Sequence, residues 1–459
     1  MLPLDKFLYK NSGTKIVLLG KGELFTREEY VAFLKKSDIE VVTRLEEGVV
    51  GIIEHHRISH VEELISCDAY VRDIPIYKLS EFEKIMSLSL VDAHILMSLK
   101  LKNDQKRLYQ LLHNPYINDS LFLKLIPMYV WDRSKNSDNN EDRGVIIATL
   151  RRFLEFKVNE EDLLYSHLTL NRLVRDTTNP DLLYALLYFP DYKFLQKGKQ
   201  WVTLREIIAN SSYINQKTIN KLLNFRDRNI PFYLSANPAT PIEILKKFAN
   251  NYHETEIDEA LASNTTIDHT LFIELLSNRG SVREVLLTYQ PIDNQRFSLI
   301  EAIQIEESEY SALGENILIE KDVLNRLVKR TNPFLLQSLA SNPSLDATMI
   351  DLLYKKNPNK YDSLLAGNPS ASKDILKKLY KKNKNNQFVL SALASNVSTP
   401  ISILQTLFEL EIFEINEALA SNESLPLEFL NILKIDTRLR HALTNNHTFT
   451  ASITQSLGL

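Results

Sequence analysis

The feature that most constrains this chain is a phrase that recurs. Leu-Ala-Ser-Asn stands at Leu261–Asn264, Leu339–Asn342, Leu393–Asn396 and Leu419–Asn422. Looser copies end at Asn237 and Asn368. With Asn as the marker, the series runs Asn210, Asn237, Asn264, Gln290, Asn316, Asn342, Asn368, Asn396, Asn422 and Asn446, in steps of 24 to 28 residues. An earlier copy sits at Asn114. A fixed period of this size marks stacked units, none of which can bury its apolar face alone.

The apolar positions repeat with the marker. Seven, eight and eleven residues after it come Val323, Leu324 and Leu327, then Met349, Ile350 and Leu353, then Ile375, Leu376 and Leu379. The same offsets hold at Ile403, Leu404 and Leu407, and at Phe429, Leu430 and Leu433. These offsets make one face of a short helix. Thr240-Pro241-Ile242-Glu243 reads as its start, with Thr as N-cap, Pro at N1 and Glu at N3, and Thr399-Pro400 repeats the first two features. A second, shorter helix such as 257–261 precedes the marker. Asn is expected to end it, because Asn tolerates the left-handed conformation and its amide can bond nearby backbone. Ten aligned amides could line a ligand site, but the phrase reads as structural capping.

The unit, Leu-Ala-x-Asn-Pro followed by spaced leucines, resembles the leucine-rich repeat variant family over more than half of the chain. The resemblance implies a right-handed α-solenoid of short helix pairs, related in form to HEAT and armadillo arrays. Units of about 26 residues are longer than the family's commoner unit. Some members carry an iron–sulfur segment, which the single Cys67 cannot supply. With no charged capping helix read at Ser456-Leu457-Gly458-Leu459, the last face is expected to be open to a partner or a neighbouring copy.

Ahead of the array, residues 14–88 read differently. Lys15–Gly20 is a short apolar strand closed by Gly. Thr26-Arg27-Glu28-Glu29 is a capping box that opens a helix. Strands at 39–42 and 48–53, a helix at 59–69, a strand at Ile74-Pro75-Ile76-Tyr77 and a helix from Ser80 follow. Pro75 argues for an edge or a strand start. The order β-α-β-β-α-β-α and the closing Ile-Pro-Ile-Tyr … Ser-Glu-Phe stretch resemble a BRCT domain over about a sixth of the chain. Phosphopeptide-binding BRCT domains place Ser or Thr beside the Gly after the first strand and Lys at the second helix start. Here Lys21 follows Gly20, the second helix starts near Arg57-Ile58-Ser59, and the Trp of the last helix is missing. Lys21 and Arg57 are the residues left to hold a phosphate. His55, His56, His60 and Cys67 look metal-like but straddle a strand-to-helix junction, and an exposed cluster is expected there instead of a metal site.

The expected organisation is therefore a mostly-α chain behind a small α/β head. It comprises a tail at 1–13, the head at 14–88, a helical connector with diverged repeats at 89–209 and the array at 210–459. An exposed polar loop is expected at 132–144 within the connector.

Composition limits the function classes. One cysteine excludes an intramolecular disulfide framework and argues for a reduced, cytoplasmic setting. No signal-peptide pattern and no long apolar run are present, so no membrane association is expected. The net charge is -4, so a general nucleic-acid footprint is absent. No metalloprotease, nucleophile-elbow or Walker motif stands out, and no cofactor is implied. One local bias remains: Lys355, Lys356, Lys360, Lys373, Lys377, Lys378, Lys381, Lys382 and Lys384 fall in two adjacent units. They suit a phosphate or an acidic partner. Lysines also favour helix C-termini for reasons of the dipole alone. The leading expectation is a non-enzymatic scaffold that binds another protein. The alternatives are a nucleic-acid binder using these lysines, and a helical-repeat enzyme of the DNA-glycosylase kind, which would need a carboxylate beside aromatic side chains. Trp131 and Trp201 are the only tryptophans available to it.

Overall fold

The computed structural model describes residues 2–132, 140–154, 159, 161, 164–196 and 200–456. The fold is mostly helical with a small N-terminal parallel sheet. Two compact units emerge, Met1–Ile230 and Pro231–Leu459.

In the first unit, β1 (Lys15–Leu19), β2 (Glu40–Val42), β3 (Val49–Glu54) and β4 (Ile76–Lys78) form one parallel sheet in the order β2-β1-β3-β4. Thr26 caps helix Arg27–Lys36 and Ser59 caps helix His60–Val71, each through a complete capping box. On one face Val17, Leu19 and Ile52 pack with Ala69 and Ile65 of helix His60–Val71. On the other, Tyr30 and Phe33 of helix Arg27–Lys36 meet Phe82 of helix Leu79–Leu88. The segment expected to be a tail carries a helix, Leu4–Lys10, that buries Leu4, Phe7 and Leu8. Its i, i+3, i+4 spacing supplies the apolar stripe, and Phe7 packs on Tyr77 at 4.7 Å.

The connector is helical but also holds an antiparallel pair, β5 (Lys193–Leu195) with β6 (Trp201–Thr203). Of the loop expected at 132–144, residues 133–139 lie outside the described residues. Helix Asn140–Phe153 takes in the rest, and Asp142 is buried there, accepting from the Tyr129 hydroxyl at 2.9 Å and from Asp132 N at 3.1 Å. Asn114 ends helix Gln105–His113 in extended backbone and donates to Ser87 Oγ at 2.7 Å. Leu121, Phe122 and Leu125 beyond it are fully buried.

In the second unit a leading helix precedes each marker and a trailing helix follows it. Leading helices Thr255–Ser263, Ser281–Tyr289, Glu307–Glu315 and Pro333–Ser341 pack each against the next, and the series continues through Asp362–Gly367, Gln387–Ser395 and Phe413–Ser421. Small residues before the marker permit this closeness. A Cβ on Gly314 would lie 2.7 Å from Ser338 Cβ and 2.8 Å from the Leu335 carbonyl. The apolar offsets face inward as the spacing requires, with Phe429 half-buried and the other named positions buried.

The markers do more than end a helix. Asn264, Asn316, Asn342, Asn368, Asn396 and Asn422 take extended backbone, φ between -64° and -82°, not the left-handed conformation. Each side-chain NH₂ donates to two backbone carbonyls of the preceding unit. Asn342 Nδ2 reaches Gly314 O at 2.8 Å and Asn316 O at 2.9 Å. From Asn264 to Asn446, with Gln290 included, these bonds span 2.6 to 3.1 Å. The Oδ1 atom accepts a backbone N–H two residues on, as Ser344 N does to Asn342 at 2.8 Å. A second line of bonds runs beside the first: Ser344, Ser370, Ser398 and Thr448 hydroxyls donate to Ile317, Pro343, Pro369 and Glu423 carbonyls of the unit before. Thr240 and Thr399 do not cap the trailing helices. Their hydroxyls turn back to Leu234 O and Leu393 O at 2.7 Å, satisfying leading-helix carbonyls, while Pro241 and Pro400 hold the cap positions.

Asn210 departs from the series. It ends helix Leu204–Ala209 with helical backbone and is exposed. The two substitutions should therefore differ sharply. Asn342→Ala strips partners from two buried carbonyls and one N–H and should cost about 3–5 kcal/mol. Asn210→Ala should stay within about 0.5 kcal/mol. Denaturant unfolding of the full chain measures both, Asn342→Ala in the transition of the second unit and Asn210→Ala in that of the first, and equal effects would refute the assignment.

Candidate functional site

Two regions gather the residues singled out by sequence. The first is a crevice of about 570 Å³ at the carboxyl ends of β1, β3 and β4. The chain leaves β1 toward β2 and leaves β3 toward β4, so the loops after β1 and β3 diverge. Open parallel sheets hold ligands at such a point. His55, His56 and Arg57 enter from β3, Lys78 from β4, and Glu23 and Leu24 from the β1 loop. Gly20 closes β1 at φ +80°, and a Cβ there would lie 2.7 Å from His55 Cβ, so only glycine lets the two loops meet.

The Gly20 turn, which packs on His55 of the crevice wall, already holds an anion. Gly20 N–H donates to Glu62 Oε1 at 2.9 Å, while Ser59 N and Oγ donate to Glu62 Oε2 at 2.8 and 2.7 Å. The Ser59 backbone bond first, then that of Gly20, holds the Glu62 carboxyl below its ordinary value. A phosphate directed at Gly20 would compete with this carboxylate. Lys21 and Arg57 both lie exposed in the loops that flank it, and neither holds an acid among the described residues. The lining acids are engaged. Glu83 accepts from Tyr30 Oη at 2.5 Å, and burial first, then this neighbour, pushes the Tyr30 phenol well above its ordinary value. Glu54 accepts from Ser66 Oγ at 2.6 Å, and Glu23 is held by Gln110. Arg107, buried, fixes the β1 loop by donating to Leu24 O and Glu29 Oε2, both at 2.7 Å.

The histidines do not converge. His55 and His56 rings pack on each other at 4.1 Å, His60 pairs with Glu63 at 3.5 Å, and Cys67 is exposed. Among the described residues no group of three or more His, Cys, Asp or Glu side chains is placed to hold a metal ion, and no helix is long and apolar enough to cross a membrane.

The second region is the lysine-rich edge of the second unit. Lys355–Lys356 and Lys381–Lys382 end trailing helices Ala347–Lys356 and Lys373–Lys382 at equivalent positions. One step earlier stand Lys329 and Arg330, which the lysine count passed over although the same 26-residue step finds them. Some of these cations serve the fold. Lys356 Nζ donates to Lys329 O and Arg330 O, both at 2.7 Å, closing the helix end of the unit before. Lys355 pairs with Asp351, and Lys382 with buried Asp362 at 3.0 Å. Lys360 lies 5.4 Å from the Tyr361 ring. Lys373, Lys377, Lys378, Lys381 and Lys384 are exposed and hold no acid among the described residues. The next turn reverses sign: Glu409, Glu411 and Glu417 are exposed there, and residues 385–433 contain no Lys or Arg.

Trp131 and Trp201 part company. Trp131 packs between Tyr129 and Phe189, whereas Trp201 stands exposed on β6.

Glu62 sets a measurable pH dependence. Its native value is depressed, so its contribution is complete above the ordinary glutamate value, about 4.3, and is lost as pH falls through the native one. Thermal melts across acidic pH should show this component in the native chain and not in Glu62→Gln. Superimposable profiles would refute the tie to Gly20.

Comparison with protein-family models, with curated proteins and with solved structures finds no match.

Proposed function

We propose that this chain is a non-enzymatic interaction scaffold, an α-solenoid behind a BRCT-like head, whose lysine-rich edge docks an acidic segment of another protein. The solenoid reading is supported by leading helices that pack serially and by the marker bonds that join each unit to the one before. The BRCT-like reading of the head rests on the element order and the all-parallel sheet.

The observation that carries the function is the set of five unpaired lysines on one trailing helix and its following turn, Lys373, Lys377, Lys378, Lys381 and Lys384. Like charges held together without counter-ions raise the potential of that edge, and an acidic partner relieves it. Lys329 and Arg330 extend the edge by one unit, although Arg330 is paired with Glu301. The acidic turn at Glu409 and Glu411 bounds it and fixes where the partner stops.

Nucleic acid suits this edge less well. Tyr361 is buried, and Tyr354 lies under Lys382, which Asp362 pins in place. Neither ring offers a free face to a base, and stacking is what single strands require.

Capture of host proteins on the immobilised chain, beside Lys377→Glu/Lys381→Glu/Lys384→Glu, tests the reading. An acidic protein retained by the native chain should lose at least tenfold in affinity, about 1.4 kcal/mol, against the variant. The same protein held equally by both would refute the edge as the site. Retention abolished by nuclease would transfer the edge to nucleic acid.

A further inference from the structure

The first unit holds a different kind of surface, one that neither the strand-end crevice nor the lysine edge includes. Two clefts, of about 1050 and 560 Å³, share Pro127 and Tyr188 in their walls and adjoin there as two parts of one groove. Helix Gln216–Leu223 supplies Lys217 and Lys221, helix Pro180–Leu186 supplies Tyr184, and the turn after it supplies Tyr188 and Phe189. Trp131 enters from the strand-like segment after Met128, and Arg205 from helix Leu204–Ala209.

The chemistry alternates ring and cation. Lys217 Nζ rests 3.9 Å from the centre of the Tyr184 ring, and Lys221 Nζ 4.6 Å from that of Tyr188. The Arg205 guanidinium lies 3.8 Å from the Phe225 ring centre. Trp131 packs on Phe189 at 4.5 Å. Neither Lys217 nor Lys221 holds a carboxylate among the described residues, so each stem is free to swing off its ring. Arg205 is paired with Asp191 at 3.7 Å, and its backbone N–H donates to the same carboxylate at 3.1 Å. Among the described residues the indole N–H of Trp131 and the Nε–H of Arg205 are buried without an acceptor. Acids line the groove at Asp132 and Asp181, and Lys124 and Arg205 are paired with Asp92 and Asp191, which leaves Lys100, Lys217 and Lys221 without an acid among the described residues.

A wall of cations resting on half-buried rings suits a ligand that is all acceptor along one side and flat along the other. We propose that this groove binds single-stranded nucleic acid, with bases stacked on its aromatic side chains and phosphates met by Lys217, Lys221 and Arg205. Stacking of a base on a ring outweighs an exposed cation–π contact, and the displaced ammonium gains a phosphate. A duplex presents no free base faces, and an acidic peptide offers carboxylates without flat rings, so the groove should discriminate against both.

Anisotropy of a fluorescein-labelled oligothymidylate of about 15 residues, on the full chain, tests this at about 50 and 200 mM salt. Binding should be measurable at the lower salt and fall steeply at the higher. With Trp201→Phe, Trp131 becomes the only tryptophan, and its emission should be quenched on binding. Lys217→Gln/Lys221→Gln should lose at least tenfold in affinity while keeping the native melting temperature. The exposed pair Lys247→Gln/Lys434→Gln should bind as the native chain does. No binding at about 50 mM salt, duplex bound as tightly as single strand, or equal displacement by polyglutamate would each overturn the proposal. A full response with Trp131 emission unchanged would also overturn it, by placing the strand elsewhere.

Discussion

The second unit depends on one side-chain amide used to its full capacity. Asparagine offers two N–H donors and one acceptor on a single short arm. In each unit it spends the donors on two carbonyls of the unit before and the acceptor on its own turn. Those carbonyls sit at the end of a leading helix, where intrahelical partners run out. Buried and unmet, each would cost about 1–3 kcal/mol. Serine has one donor and aspartate none, so neither can replace it. Gln290 shows the tolerance of the arrangement: its longer arm still reaches Ala262 O and Asn264 O at 2.8 Å, while its Oε1 turns to Arg296 and not to its own turn. Pro291 follows it, and there Ile292 and Ile319 pair as a short bridge between units.

The small residues around the marker follow from the same constraint. An amide reaches a carbonyl one unit away only if the leading helices lie close. Ala262, Gly314, Ala340, Ala366, Ala394 and Ala420 all stand two residues before a marker, and five of the six carbonyls that meet the following marker's amide at that position are alanine carbonyls. The repeated phrase is thus a packing rule and a bonding rule written together. The trailing helices and their turns vary more freely, and there charge changes sign from one unit to the next.

Much of this was legible beforehand because it is local. The apolar offsets of the trailing helices and the capping box at Thr26 depend on residues within a few turns of each other, and the period shows as plain repetition. What the sequence hid is non-local. The extended backbone of the markers and the backward bonds of Thr240 and Thr399 answer to carbonyls of another helix or another unit. Asn210 stands at the right spacing but outside the buried line, and spacing alone does not report burial. The groove was invisible for the same reason: Trp131, Tyr188, Arg205 and Lys221 are scattered along the chain with no common period. Helix Leu4–Lys10 was a different miss, since Leu4, Phe7 and Leu8 carry the helical spacing in plain view.

The marker bonds all point one way. Every amide from Asn264 onward gives its protons to the unit that precedes it in the chain, and none gives them forward. Synthesis delivers acceptors first and donors second. A unit leaving the ribosome therefore finds its docking carbonyls already in place and can lock at once, before any later unit exists. Loss of a late unit exposes carbonyl acceptors and loss of an early one exposes amide donors, and water meets either. The line of marker bonds thus has a direction, and it runs in the order in which the chain is made.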